Sequence, residues 1–267
     1  MSEEKTEIVA WEPKLFPGND LLPMEVHSDI IEVPDIPLVG EEEIDPDDLI
    51  VPALNLLHGT SKAVTEGLDG AVPGRFIHSG TQEVLPEGDL RVIVAHYHKG
   101  NALFPKEGER YANLETCISS NGVEGTVYGF CEECRKCFWK NDGTPEEPPL
   151  GAEVHHFVLL TNMGPVMLRL SRSSYKSGSE FLSTKSSKRR NYWAHPTIVK
   201  VVQEPKTLPT GKVTMYYTLR IMWQLTEKVP AELQRTAYEL YKSLKAKHET
   251  GNLKSNDQEV PVDEDFA

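Results

Sequence analysis

Hydrophobic and polar positions alternate most regularly over residues 213–225. Val213, Met215, Tyr217, Leu219, Ile221, Trp223 and Leu225 are apolar, while Thr214, Tyr216, Thr218, Arg220, Met222 and Gln224 alternate with them. A period of two predicts a strand with one core face and one wet face. The wet face carries Tyr216 and Arg220. Upstream, 154–161 and 166–172 are apolar runs separated by Asn162, Met163, Gly164 and Pro165, the pattern of a hairpin. In its second arm Val166, Leu168 and Leu170 face inward, which turns Arg169 and Ser171 to the other side. Residues 91–98 and 197–203 read as two more strands. Between the hairpin and the latter, Ser174 caps an expected helix over 175–188 with Phe181, Leu182 and Lys185 at helical spacing. After Pro230, Leu233, Ala237, Leu240, Tyr241 and Leu244 mark the apolar stripe of a second helix. Residues 51–86 are Gly-rich and predict short strands and turns.

Three strands, a helix and two strands predict a mainly β fold with some α. The expected form is an OB-fold-like five-stranded barrel with a cysteine-rich zinc insertion and a C-terminal helix. Other mixed β folds share the element order. No apolar run approaches the roughly 20 residues of a membrane span. The first seven residues are acidic, where a secretory leader is basic and then apolar. The expectation is a cytoplasmic protein.

Charge divides this chain. The 267 residues carry a formal net charge of -13. Residues 1–50 hold fifteen acids and two bases, and 252–267 hold five acids and one base, which leaves 25 bases and 21 acids between. A mildly basic body lies between two acidic arms. The expected organisation is a Pro-rich arm over 1–49, too acidic to bury a core of its own. A body over 50–229 follows, with the insertion at 112–139, then a helix over 230–250 and a tail over 251–267. Within the body Arg169, Arg172, Lys176, Lys185, Lys188, Arg189, Arg190 and Lys200 are opposed only by Glu180, with Tyr175, Phe181, Tyr192 and Trp193 interleaved and eight serines among them. Cations neutralise phosphates, rings stack on bases and hydroxyls bond phosphate oxygens. A solvated basic loop beside a core helix has the same composition; the segregation of charge along the chain favours nucleic acid.

All four cysteines fall in one stretch: Cys117, Cys131, Cys134 and Cys137. The Cys-x2-Cys spacing lets two thiolates meet on one tetrahedral ion, so structural zinc is the leading expectation. The shell would be four thiolates, or three with His155 or His156. An iron–sulfur cluster and free or redox-paired thiols are the competing readings; the ferredoxin pattern's downstream Cys-Pro is absent. His96 and His98 lie two apart on a strand and share a side, a pattern that binds metal less often than it hydrogen-bonds. No phosphate loop, dinucleotide fingerprint, HExxH or nucleophile elbow occurs, so no motif supports an enzyme.

The chain ends Asp263, Glu264, Asp265, Phe266, Ala267. An acidic run with one aromatic suits a partner's basic-rimmed pocket or the body's own basic groove; a solubilising tail is the plain alternative. With the basic and aromatic stretch 169–193, the strand bearing Tyr216 and Arg220, and the acidic 257–266, the chain resembles single-stranded DNA-binding proteins of bacteriophage type. Its opening at Asp47, Asp48, Leu49, Ile50, Val51 and Pro52, with Ser61 and Gly67, also looks like that of phage proteins of this size. The resemblance implies an OB-fold, a bound zinc, and a tail that recruits replication or recombination proteins in the host cytoplasm. The expected function is coating of single-stranded DNA, with room for self-association. The alternative is a zinc-containing adaptor of a replication or transcription complex that binds no DNA. A metal-dependent nuclease finds no supporting constellation.

Overall fold

The computed structural model describes residues 50–105, 114–119, 121–138, 149–207, 211 and 213–249. The expected arm at 1–49, the tail at 251–267 and its partner-binding Asp263, Glu264, Asp265 and Phe266 lie outside them.

In chain order the elements are β1 (Ala53–Leu56), α1 (Lys62–Thr65), β2 (Phe76–His78), β3 (Leu90–Leu103), β4 (Cys117–Ser119), β5 (Glu124–Gly125), β6 (Gly129–Phe130), α2 (Cys131–Cys134), β7 (Ala152–Thr161), β8 (Gly164–Ser171), α3 (Arg172–Lys188), β9 (Thr197–Thr207), β10 (Val213–Trp223) and α4 (Ala231–Glu249). Strands run in the order β10-β9-β3-β7-β8-β1-β2, with β4 added to β3, as a curled mixed sheet forming a half-barrel. The long β3 serves both halves. Its start, Leu90 to Val92, pairs with β9, and Ile93 to Ala102 pair with β7 across a register irregularity between Val94 and His96. Such an irregularity bends a strand, as a barrel wall requires. β7 and β8 form the expected hairpin around a turn in which Gly164 takes a φ of 92°, a conformation glycine adopts without strain.

The half-barrel encloses Val92, Val94, Phe157, Leu159, Leu168, Leu219 and Ile221, closed by Phe181 of α3, whose ring meets Trp223 edge-on at 5.4 Å. On the outer side α4 covers β3 through Ala237, Leu240 and Tyr241 against Ile93, Ala95 and Trp193. Leu244 continues that contact onto Val158 and Met167.

α3 lies along the free edge of β10. The backbone N–H of Leu219 donates to Ser174 Oγ at 2.9 Å, and that of Ile221 to Ser177 Oγ at 2.8 Å. These two buried serines satisfy donors that an edge strand otherwise presents to solvent or to another chain. Ser174→Ala leaves the Leu219 N–H buried and unpaired, and should lower stability by about 1–3 kcal/mol in urea unfolding, with a folded spectrum retained. A midpoint equal to the wild type would show that α3 does not close the edge.

Several boundaries differ from expectation. β3 runs on past His98 to Leu103, α3 begins at Arg172 so that Ser174 lies inside it and Ser171 precedes it, β9 runs on to Thr207, and β10 stops at Trp223. The core face of β10 is also shorter than its alternation implies. Val213, Met215 and Leu225 are 59%, 48% and 45% exposed, because the described core clusters end at Tyr217 and Trp223.

Candidate nucleic-acid interface and cysteine-lined pocket

The register of β9 and β10 sets Arg220 opposite Lys200 and Tyr216 opposite Glu204, on the outward face that alternation places there. Glu204 lies between two of the candidates. Its carboxylate accepts from Arg220 Nη2 at 2.7 Å and from the Tyr216 hydroxyl at 2.8 Å. Those donors hold the Glu204 carboxyl below its ordinary pKa, and the same bond raises that of Tyr216. Lys200 Nζ stands 3.8 Å from Asp89. Each of the two cations of this patch is therefore met by a carboxylate.

A second group of cations follows α3. Lys176 faces Glu180 at 3.8 Å, and Lys185 lies over the Tyr192 ring at 4.6 Å. Lys188, Arg189 and Arg190 are exposed where the helix ends, with Arg189 in a left-handed conformation (φ 49°). Arg172, at the other end, is half-buried and also left-handed, at φ 48°.

Arg169 stands apart from both groups. It lies on β8 opposite His156, and β3 and β7 separate that strand from β9. The rings are mostly occupied as well. Trp193 is 7% exposed and packs on Tyr238 and Tyr241, so its faces are closed to a stacking base. Tyr192 is half-buried against the core. Tyr175 stacks on His155 at 4.1 Å. The serines bond within the protein: Ser174 and Ser177 to β10, Ser179 to His155, Ser183 and Ser187 to their own helix.

The cysteines come together. β4 pairs with β3 through Leu103 and Cys117, which anchors one side. The β5–β6 hairpin delivers Cys131 and Cys134 on the single turn of α2, and the Cys137 thiol faces the carbonyl of Ala102. All four line one pocket, with Tyr128 and Lys136 beside them and neither His155 nor His156. Those two histidines point elsewhere: His155 meets Ser179 of α3, and His156 stacks on His98. Glycines clear the space, since a Cβ on Gly125 would come 2.6 Å from Cys117 Sγ and one on Gly151 would collide with Cys137 Sγ. Burial, then the neighbouring cysteines, pushes the Cys137 thiol up to about 12. Among the described residues no three His, Cys, Asp or Glu side chains stand in a metal-holding group.

A family model described as Pam3 phage gp34-like protein matches residues 31–250. The chain belongs to that family. The match covers the half-barrel, both long helices and the cysteine-lined pocket, and it points to a phage origin for this gp34-like chain. No curated protein and no solved structure matches it. Among its described residues no helix is long and apolar enough to cross a membrane.

One grouping escaped sequence reasoning. His96 and His98 share a face as their spacing implies, but His156 and His248 join them there. No local pattern announces that meeting, because it joins β3, β7 and α4.

Proposed function

We propose that this chain is a non-enzymatic, OB-type protein that coats single-stranded DNA in phage replication or recombination. The observation that carries the reading is strand order. β3, β7, β8, α3, β9 and β10 follow one another as the five strands and intervening helix of that fold do, with the long first strand pairing with both the second and the fourth. The gap between third and fifth strands is spanned by α3. In this reading the cysteine-rich insertion is the loop between the first and second barrel strands, and the β9–β10 connection is the other loop that such proteins use to grip oligonucleotides. Lys200, Arg220 and the cluster at Lys188, Arg189 and Arg190 are the phosphate-neutralising groups, and Tyr216 is the stacking candidate. The tail, by its charge, competes with DNA for these cations and offers Phe266 to replication or recombination proteins.

Anisotropy of a labelled oligo(dT) tests it better than intrinsic fluorescence, since Trp193 and Trp223 are both buried. Saturable binding that outlasts competition by duplex DNA is expected, and deletion of 252–267 should tighten it. No binding, or preference for duplex, would remove the proposal.

The adaptor reading has two observations in its favour. Glu204 and Asp89 already neutralise part of the β9–β10 patch, and α4 covers the outer face of β3 and part of β7. An adaptor predicts no anisotropy change at any salt concentration.

The cysteine pocket fits structural zinc in donor chemistry and in the room that Gly125 and Gly151 leave. Four thiolates would hold the ion, and zinc would tie an insertion with little apolar core to β3. Elemental analysis should find zinc, X-ray absorption should place sulfur at about 2.3 Å from it, and chelation should melt the insertion before the barrel. A folded, zinc-free protein as purified would refute it.

A further inference from the structure

Four imidazoles meet between the sheet and the last turn of α4. His98 lies 5.7 Å from His96, 4.8 Å from His248 and 4.6 Å from His156, measured between ring centroids, and His96 and His248 are 5.7 Å apart. His96, His98 and His156 are only 4%, 3% and 4% exposed.

Their hydrogen bonding sets them apart. Buried polar atoms in folded proteins are nearly always paired. His155, as deeply buried, obeys the rule: one ring nitrogen meets the Tyr97 hydroxyl and the other Ser179 Oγ, each at 3.0 Å. His96 and His98 do not. Neither nitrogen of either ring has a hydrogen-bond partner. Two adjacent imidazoles with four orphaned nitrogens carry either a large loss of solvation or a bound ion or ordered water that meets them, and each neutral ring has one lone pair to offer an ion.

We propose that His96, His98 and His248 form a second metal site, for a divalent d-block ion of the zinc class, independent of the cysteine pocket. Imidazole suits such ions. Zinc bound to nitrogen at about 2.0–2.1 Å in tetrahedral array sets ring centroids roughly 5 Å apart, close to the triangle of these three rings. His156 is excluded from the shell because its ring lies parallel to that of His98, at 7°, so their in-plane lone pairs do not converge. It backs His98 instead, with Nδ1 against Met167 Sδ at 3.3 Å. Gly100 makes room for it, since a Cβ there would come 2.6 Å from His156 Nε2. Among the described residues these rings do not stand in a metal-holding group, so the proposed site requires them to rotate about their side-chain bonds. Lys245 and Arg169 stand close enough to oppose a cation. An anionic fourth ligand such as hydroxide would offset them, at the open position that three-ligand zinc sites keep.

The test uses full-length protein, stripped by chelator and reloaded with Zn²⁺ alone. Elemental analysis gives the stoichiometry, and X-ray absorption separates nitrogen at about 2.0 Å from sulfur at about 2.3 Å. Wild type should bind one more zinc than His248→Ala and should show a nitrogen shell that the variant loses. The sulfur shell, which reports on the cysteine pocket, should be the same in both, so either site can fail without the other. Equal zinc content and no nitrogen shell in wild type would overturn the proposal. Should His248→Ala not fold, the imidazole NMR resonances of wild type decide. Those of His96 and His98 should move on adding Zn²⁺ while those of His155 stay, and unmoved resonances would overturn the site.

Discussion

Raising salt from about 50 to about 200 mM should weaken oligo(dT) binding roughly a hundredfold. Binding to single strands releases counterions in proportion to the phosphates neutralised, with a log–log slope of about -0.7 per contact. On the proposed reading Lys188, Arg189, Arg190, Lys200 and Arg220 make such contacts, and about five contacts give a slope near -3.5. Arg220 sets the sensitivity of the test. Its bond to Glu204 must loosen or be shared as a phosphate arrives, so Glu204→Gln should raise affinity several-fold at low salt. Tyr216→Ala should cost about 1–3 kcal/mol if that ring stacks a base, with little change in the salt slope. A flat salt response would show that these cations do not touch phosphate.

Acidifying chelator-treated protein from pH 7 to pH 5 should lower its stability by at least about 2 kcal/mol. Burial lowers His96 and His155 from 6.5 to about 4, His156 to about 3 and His98 to about 2. Neighbouring groups in their charged forms add to the shift: His248 and Lys245 for His96; His156, His248 and His96 and then Arg169 for His98; Arg169, His155 and His248 for His156; and Lys99 for His155, which Glu153 partly opposes. A folded pKa below the unfolded one means that the unfolded chain binds more protons in between. The contribution is therefore whole above pH 6.5 and falls as pH drops from 6.5 towards the folded values. At pH 5 one such imidazole costs about 2 kcal/mol, and because His96, His98 and His156 share one another's fields their terms add only in part. Urea midpoints at the two pH values check this. Equal midpoints would mean that the rings gain solvent or partners when charged.

Much of the fold was legible because periodicity is local. The alternation of Tyr217, Leu219, Ile221 and Trp223 marked the inner face of β10, and the stripe from Leu233 to Leu244 marked the side of α4 that reaches Ile93 and Met167. The turn at Gly164 and the helix between β8 and β9 likewise lie in short stretches of chain. The candidate site was less legible. Residue types identified the cations, but not that Glu204, sixteen positions from Arg220, would take up its charge. Trp193 has the composition of a stacking residue and the position of a core one, because the 3₁₀ turn Tyr192–Ala194 tucks it under α4. The serines of α3 look like phosphate donors and act as the seal of a strand edge.

The sequence by itself determined which elements form, which face of each is apolar, that the charges separate into a basic body and acidic arms, and that the four thiols share one insertion. Tertiary structure alone decided which cations are already paired, which rings are closed off, that all four thiols line one pocket without a histidine, and that histidines from β3, β7 and α4 meet. The physical reason is reach. Side-chain period and composition act over a few residues, whereas pairing and burial depend on strand register and helix packing, which join positions as far apart as His98 and His248.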